Sequence, residues 1–196
     1  MNKMNLSDEL PIMFCETIED WRNWLSQNAT TAKGVRLRLY KKQSGVRSIT
    51  YAEALDVALC HGWIDSRKNA YDELSWLQIF TPRKKKSIWS KINKEKVERF
   101  IEQGIMTPQG LETVEEAKRN GQWDKAYEGQ KNMTVPDDFQ QALAENDKAN
   151  AFFQTLDSTN RYAILFRLNK VSKPENRLKK IRDFIHMLEN GEKFYN

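Results

Sequence analysis

Residues 60–93 read CHGWIDSRKNAYDELSWLQIFTPRKKKSIWSKIN, and this stretch limits the possible folds more than any other. It holds two short β-prone runs, residues 63–65 and 76–80, separated by the polar segment 66–75. The two runs can pair as a hairpin, and Pro82 ends the second because proline cannot donate to a ladder. Residues 34–40 add a third run. There Val35, Leu37 and Leu39 alternate with Arg36 and Arg38, the period of a half-buried strand. Helical spacing prevails elsewhere, and the 8 glycines are too few for a large turn-rich β fold. The expected class is α+β, mainly α, with a small three-stranded antiparallel sheet packed on helices.

Helix starts are marked by caps. Thr17 precedes Ile18, Trp21, Trp24 and Leu25, with Glu19 and Asp20 in the first turn. Thr50 and Glu53 form a T-x-x-E capping box, and Gly62 can end that helix in the left-handed conformation. Asn93 can cap a helix carrying Val97, Phe100 and Ile101, which Gly104 closes. Thr107 and Pro108 are an N-cap and N1 pair, opening a helix through Leu111 and Val114.

Trp123 and Tyr127 then stand four apart, and the polar stretch 128–134 reads as a linker. An N-terminal α+β domain over 1–130 and a C-terminal helical module over 131–196 follow. In the module Phe139 and Leu143, then Phe152, Phe153 and Leu156, then Ile164, Leu165 and Leu168 mark successive helices. Ser172, Pro174 and Glu175 suggest a capping box for the last one, with Leu178, Ile181, Ile185 and Leu188 facing inward.

Composition narrows the setting. Cys15 and Cys60 match no metal-ligand spacing and no disulfide framework, so each reads as a buried thiol in a reducing compartment. The first residues lack an apolar signal region, and no run approaches the ~20 apolar residues that span a bilayer. A cytoplasmic protein is expected. Net charge is +5, but unevenly spread. Residues 83–99 carry eight Lys/Arg against two acids, and residues 161–182 eight against one. Such polarity fits an anionic partner as well as solvated helix faces.

The chemistry-bearing groups fall at two ends of the opening stretch. Asp65, beside Trp63, can orient a ligand or act as a base, or it can form an ion pair with Arg67 or Arg83 that lowers its pKa. Further on, Arg83, Ser87, Trp89, Lys91 and Asn93 place guanidinium, hydroxyl, ammonium and amide donors beside an indole, a combination suited to an oxyanion or a stacked base. Packed in a core instead, Trp89 leaves the lysines to water. His61 invites a catalytic role because histidine titrates near neutrality, and a slot for a flat ring is the alternative. His186 sits near a helix end, where a cation is favourable. No Walker A, G-x-G-x-x-G or G-x-S-x-G motif occurs, and two histidines give no zinc pattern. No catalytic residue, metal or cofactor is therefore assigned.

Taken in order, YAEALDVALCHGWID, SWLQIFTPRKKKSIWSKIN and GIMTPQGLETVEEAKRNGQWD resemble the YdeI/OmpD-associated, or bacteriocin-protection, family over nearly the whole chain. A C-terminal segment beginning near Val135 and Pro136 looks like that family's small helical module. The resemblance implies protection against bacteriocins or cationic antimicrobial peptides and association with an outer-membrane porin. It brings no reaction. The expectation is a non-enzymatic stress or antimicrobial-resistance factor that binds an anionic ligand or a partner protein through Trp63, Asp65, Arg67, Arg83, Ser87, Trp89, Lys91 and Asn93. An enzyme acting on a small anionic substrate is the alternative, and nucleic-acid binding through the basic segments is less favoured.

Overall fold

A computed structural model describes residues 9–129, 132–171 and 173–195. The chain divides into two compact units, residues 1–126 and 127–196.

The first unit is built on a four-stranded mixed sheet of order β1-β2-β4-β3, made by β1 (Ile12–Phe14), β2 (Val35–Tyr40), β3 (Trp63–Ala70) and β4 (Ser75–Pro82). The hairpin β3–β4 and the antiparallel pairing of β4 with β2 follow the alternation in the sequence. Two features depart from the three-stranded antiparallel expectation. β1 adds a parallel edge, with Ile12, Met13 and Phe14 opposite Arg36, Leu37 and Arg38. Three successive apolar residues show no period of two, so only the pairing reveals this strand. β3 also continues to Ala70 through residues expected to form a loop, with its register shifting between Asp65 and Lys68. It is an edge strand, and its polar outer half matches how exposed edges resist unwanted pairing.

Helices α1 (Ile18–Asn28), α2 (Tyr51–Cys60), α3 (Lys91–Glu102) and α4 (Pro108–Arg119) complete the unit. Thr17 and Thr50 each close a reciprocal capping box. For α3 the cap is Ser90, whose hydroxyl accepts from the Asn93 N–H at 3.2 Å, so Asn93 lies inside the first turn rather than capping it. Trp21, Leu25, Val35, Leu37, Leu39, Ala58, Trp63 and Phe80 form the centre of the core. The Trp63 and Trp21 indoles donate to the Ala29 and Ala54 carbonyls, both at 3.0 Å, so their polar atoms are satisfied where they are buried. Trp123 lies in a turn, not on a helix with Tyr127, and meets Trp89 edge-on at 4.8 Å. Ile101 and Leu111 are exposed rather than core residues.

Two contacts place α4. Gln109 Nε2 shares the Ala29 carbonyl with Trp63, at 3.0 Å. Thr107 gives both its N–H and its hydroxyl to the Cys60 carbonyl, at 3.0 and 2.9 Å, satisfying an end of α2 that would otherwise lack a donor. The helices approach so closely that a Cβ on Gly110 would stand 2.1 Å from the Cys60 oxygen. Gly62 ends α2 at φ +73°, and a Cβ there would press Thr113 at 2.7 Å.

The second unit is helical: α5 (Asp137–Ala144), α6 (Asp147–Thr155), α7 (Ser158–Asn169) and α8 (Pro174–Glu189). Phe139, Phe153, Ile164, Leu168, Phe184 and Leu188 make its core. Leu178 is 61% exposed, against the inward position its spacing implied, while Ile181 and Phe184 fill that face. The capping expectation at Ser172 lies outside the described residues. α8 starts at Pro174, and Lys173 before it makes no side-chain cap. The Arg177 guanidinium grips the Asp138 carboxylate and donates to the Leu168 carbonyl at 2.8 Å, linking three helices of the unit.

Candidate functional site

The turn between β4 and α3 forms one wall of a cleft of about 190 Å³. Arg83, Lys84, Lys85, Ser87 and Trp89 line that side, and Glu112, Thr113, Glu116 and Ala117 of α4 line the other. The turn is held locally. Ser87 Oγ accepts from the Lys84 N–H at 2.9 Å, and Asn120 Nδ2 donates to the Lys85 carbonyl at 2.7 Å. The Arg83 guanidinium lies 3.5 Å from the centroid of the Trp89 ring and donates to the Ile88 carbonyl at 3.2 Å. Trp89 is 2% exposed, so its indole serves as a fixed floor for the guanidinium. A cation–π contact shielded in this way contributes about 2 kcal/mol.

α4 brings acids beside the donors expected of the 83–93 segment. Glu112 and Glu116 are both engaged by Arg119, at 2.7 and 2.9 Å. The Arg119 hydrogen bond holds the Glu116 carboxyl below the usual range, with Lys85 and Asn120 adding to the effect. Three cations on the turn face two carboxylates already bound to a fourth cation. The cleft therefore keeps an excess of positive charge, and its polarity runs from the turn to the helix.

The expected site residues divide. Arg83, Ser87 and Trp89 meet in the cleft. Trp63 is fully buried with its N–H satisfied, so it is part of the core and presents no face to a ligand. Arg67 is exposed on the outer half of β3, and Lys91 is exposed in the first turn of α3. Asn93 is half-buried in the same turn, and neither it nor Lys91 lines the cleft.

Asp65 accepts a hydrogen bond from Tyr51 Oη at 2.9 Å. Burial raises its pKa, and the opposing pulls of Tyr51 and Arg83 do not cancel this. The ion-pair alternative would have lowered it; instead desolvation wins over charge. The residues missed from sequence are Glu112, Thr113 and Glu116. Their i, i+4 acidic spacing, with Arg119 nearby, is the ordinary pattern of a solvated helix face.

Elsewhere in the first unit, His61, Cys60, Ser26 and Arg22 border a larger and more apolar cavity of about 480 Å³. Burial pushes the Cys60 thiol up to about 11 and the Cys15 thiol up to about 12, so both are protonated near neutrality. In the second unit, Lys170, Lys173, Lys179 and Lys180 surround a shallow hollow together with Asp183. Several of that unit's cations lie on aromatic rings, including Arg167 at 4.1 Å from Phe194 and Lys170 at 4.4 Å from Phe166. Among the described residues, no cluster of His, Cys, Asp and Glu could hold a metal ion, and no helix is long and apolar enough to cross a membrane.

Comparison with known families divides the chain in a similar place. Residues 13–113, just over half of the chain, match a family described as a domain of unknown function, DUF8412. The chain belongs to that family. Residues 132–191 match the family described as bacteriocin-protection, YdeI or OmpD-associated, so the C-terminal segment is a module of that family. The first two sequence segments that carried the resemblance lie within residues 13–113, whereas the bacteriocin-protection match falls wholly in the second unit. Comparison with curated proteins and with solved structures returns no match.

Proposed function

We propose that this protein is a non-enzymatic bacteriocin-protection factor that acts by holding an anionic group, on a small ligand or a partner protein, in the cleft between the 83–89 turn and α4. The bacteriocin-protection match supports the role at the level of the family. One observation carries the proposed mode of action: Arg83, Lys84, Lys85 and Ser87 converge on one small cleft whose floor, Trp89, is locked in the core. Guanidinium and ammonium groups with a hydroxyl offer charge-assisted hydrogen bonds to a carboxylate or phosphate. The α4 carboxylates do not repel such a group strongly, because Arg119 occupies both.

The carboxylates on the cleft lining, Glu112 and Glu116, are both held by Arg119. Asp65, the strongest candidate base, is absent from the cleft lining and is occupied by Tyr51.

The test is survival of bacteriocin-sensitive cells expressing the protein or its Lys84→Glu/Lys85→Glu variant at matched levels. Protection that disappears with the double charge reversal supports the reading. Undiminished protection contradicts it.

A further inference from the structure

A second site lies between α1, α2 and the segment leading into α4, and its chemistry differs from that of the charged cleft. His61, at the end of α2, is 6% exposed and borders the 480 Å³ cavity. Its Nδ1 is 2.9 Å from the Val57 carbonyl. A carbonyl can only accept, so Nδ1 carries the proton and, in the neutral ring, Nε2 presents a lone pair. Burial holds the imidazole below its ordinary pKa, with Arg22 adding to the effect, so the neutral ring prevails at pH 7.

The nearest hydroxyl, Ser26 Oγ, is 3.5 Å from Nε2 but donates its proton to the Arg22 carbonyl at 2.8 Å. The one polar contact of this buried acceptor is thus a long one, to a hydroxyl whose proton is already given away. Such an atom gains from any donor brought to it.

The remaining lining specifies the rest of a ligand. Ile18, Val57, Phe100 and Ile105 are apolar, and the space falls in the size range of small-molecule sites, about 300–1,000 Å³. The charges on its lining are already engaged: Arg22 pairs with Glu19 at 2.5 Å, Asp56 pairs with Lys96, and the Glu53 carboxylate accepts from the Thr50 N–H and hydroxyl, both at 2.8 Å. An ionic ligand would therefore gain little, whereas the Arg22 guanidinium on the lining favours the face of an aromatic ring.

We infer that this cavity binds a small, uncharged aromatic molecule bearing one N–H or O–H donor, with the ring among the apolar side chains and the donor on His61 Nε2. This site is independent of the anion-binding cleft and does not rest on that reading.

Indole and 1-methylindole are the probes, since the methyl group replaces the one donor at little cost in size. Titration of the full chain, followed by amide NMR, should perturb signals around Val57, His61 and Ile105. Indole should bind about five- to tenfold more tightly than 1-methylindole, the contribution of one neutral hydrogen bond. His61→Phe keeps a flat ring and should reduce indole to the affinity of 1-methylindole. Ile105→Trp, at a side chain 53% exposed, fills the entrance without disturbing the core and should abolish both. Equal binding of the two probes by the native protein overturns the inference. So does a preference that survives His61→Phe, perturbation confined to another region, or failure of both probes to bind.

Discussion

The cleft beside Arg83 and the cavity beside His61 have no lining residue in common and follow opposite chemical rules. The cleft is small and lined by charges, with Trp89 as the only large apolar surface. The cavity is more than twice its volume, mainly apolar, and carries one buried acceptor among charges that are already engaged. Both depend on α4 and the residues just before it. Thr107, its N-cap, borders the cavity, while Thr113, Glu116 and Ala117 border the cleft. The close approach of Gly110 to the Cys60 carbonyl seats α4 against α2 between these two groups of residues. One helix thus serves two sites because its ends and faces meet different neighbours, and chemistry is assigned by what lies opposite rather than by the helix itself.

The largest expected effect removes both regions together. Gly110→Ala drives a methyl group into the Cys60 carbonyl at 2.1 Å, so α4 must move away from α2. Overpacking of this kind costs about 3 kcal/mol, and thermal unfolding should show it together with loss of phosphate and indole binding. Retention of either binding event would break the claim that the seating of α4 on α2 supports both sites. Next in size is Lys84→Glu/Lys85→Glu, which should weaken binding of inorganic phosphate about tenfold or more while leaving indole untouched. Isothermal titration of each probe separates the two sites.

A smaller effect concerns pH. The folded state holds His61 below its ordinary pKa, so the unfolded chain takes up its proton first as pH falls. The stabilisation tied to the neutral ring is fully present above pH 6.5 and is lost as pH drops through the lower folded value. Arg22 from α1 and Glu53, Asp56 and Cys60 on α2 share the cavity lining with the ring, and Lys96 from α3 pairs with Asp56. Denaturant melts between pH 7 and pH 5 should therefore show a decline that His61→Phe reduces, while the cleft's affinity for phosphate is unaffected by that substitution.

The smallest effect is at Asp65, which belongs to neither region. Its carboxyl is raised by burial, so the charged form is a mild burden above its folded pKa. Asp65→Asn keeps an acceptor for Tyr51 and should raise the melting temperature by about 1–3 °C. A fall instead would mean that the carboxylate does more than the burial of Asp65 implies.

Much of the scaffold was legible because it is written in local rules. Thr17, Thr50 and Thr107 cap the helices their spacing announced, and Val35, Leu37 and Leu39 point into the core as a period of two requires. What escaped was decided by distant neighbours. Ile12, Met13 and Phe14 become a strand only because β2 lies beside them. The polar half of β3 looks like a loop until β4 pairs with it.

The site divides in the same way. Arg83, Ser87 and Trp89 announced themselves by an unusual mixture of residues. Glu112 and Glu116 resemble any solvated acidic pair, and only the approach of α4 to the 83–87 turn gives them a role. Trp63 shows the reverse error: tryptophan density suggested a site where its indole in fact completes the core.

The anion-binding cleft is tested most directly by titrating the isotope-labelled protein with inorganic phosphate at low ionic strength while recording amide NMR spectra. The account predicts saturable shifts concentrated at residues 83–89 and 112–117, absent from the Lys84→Glu/Lys85→Glu variant. Shifts confined to the lysines around Asp183, or none that saturate, would contradict it.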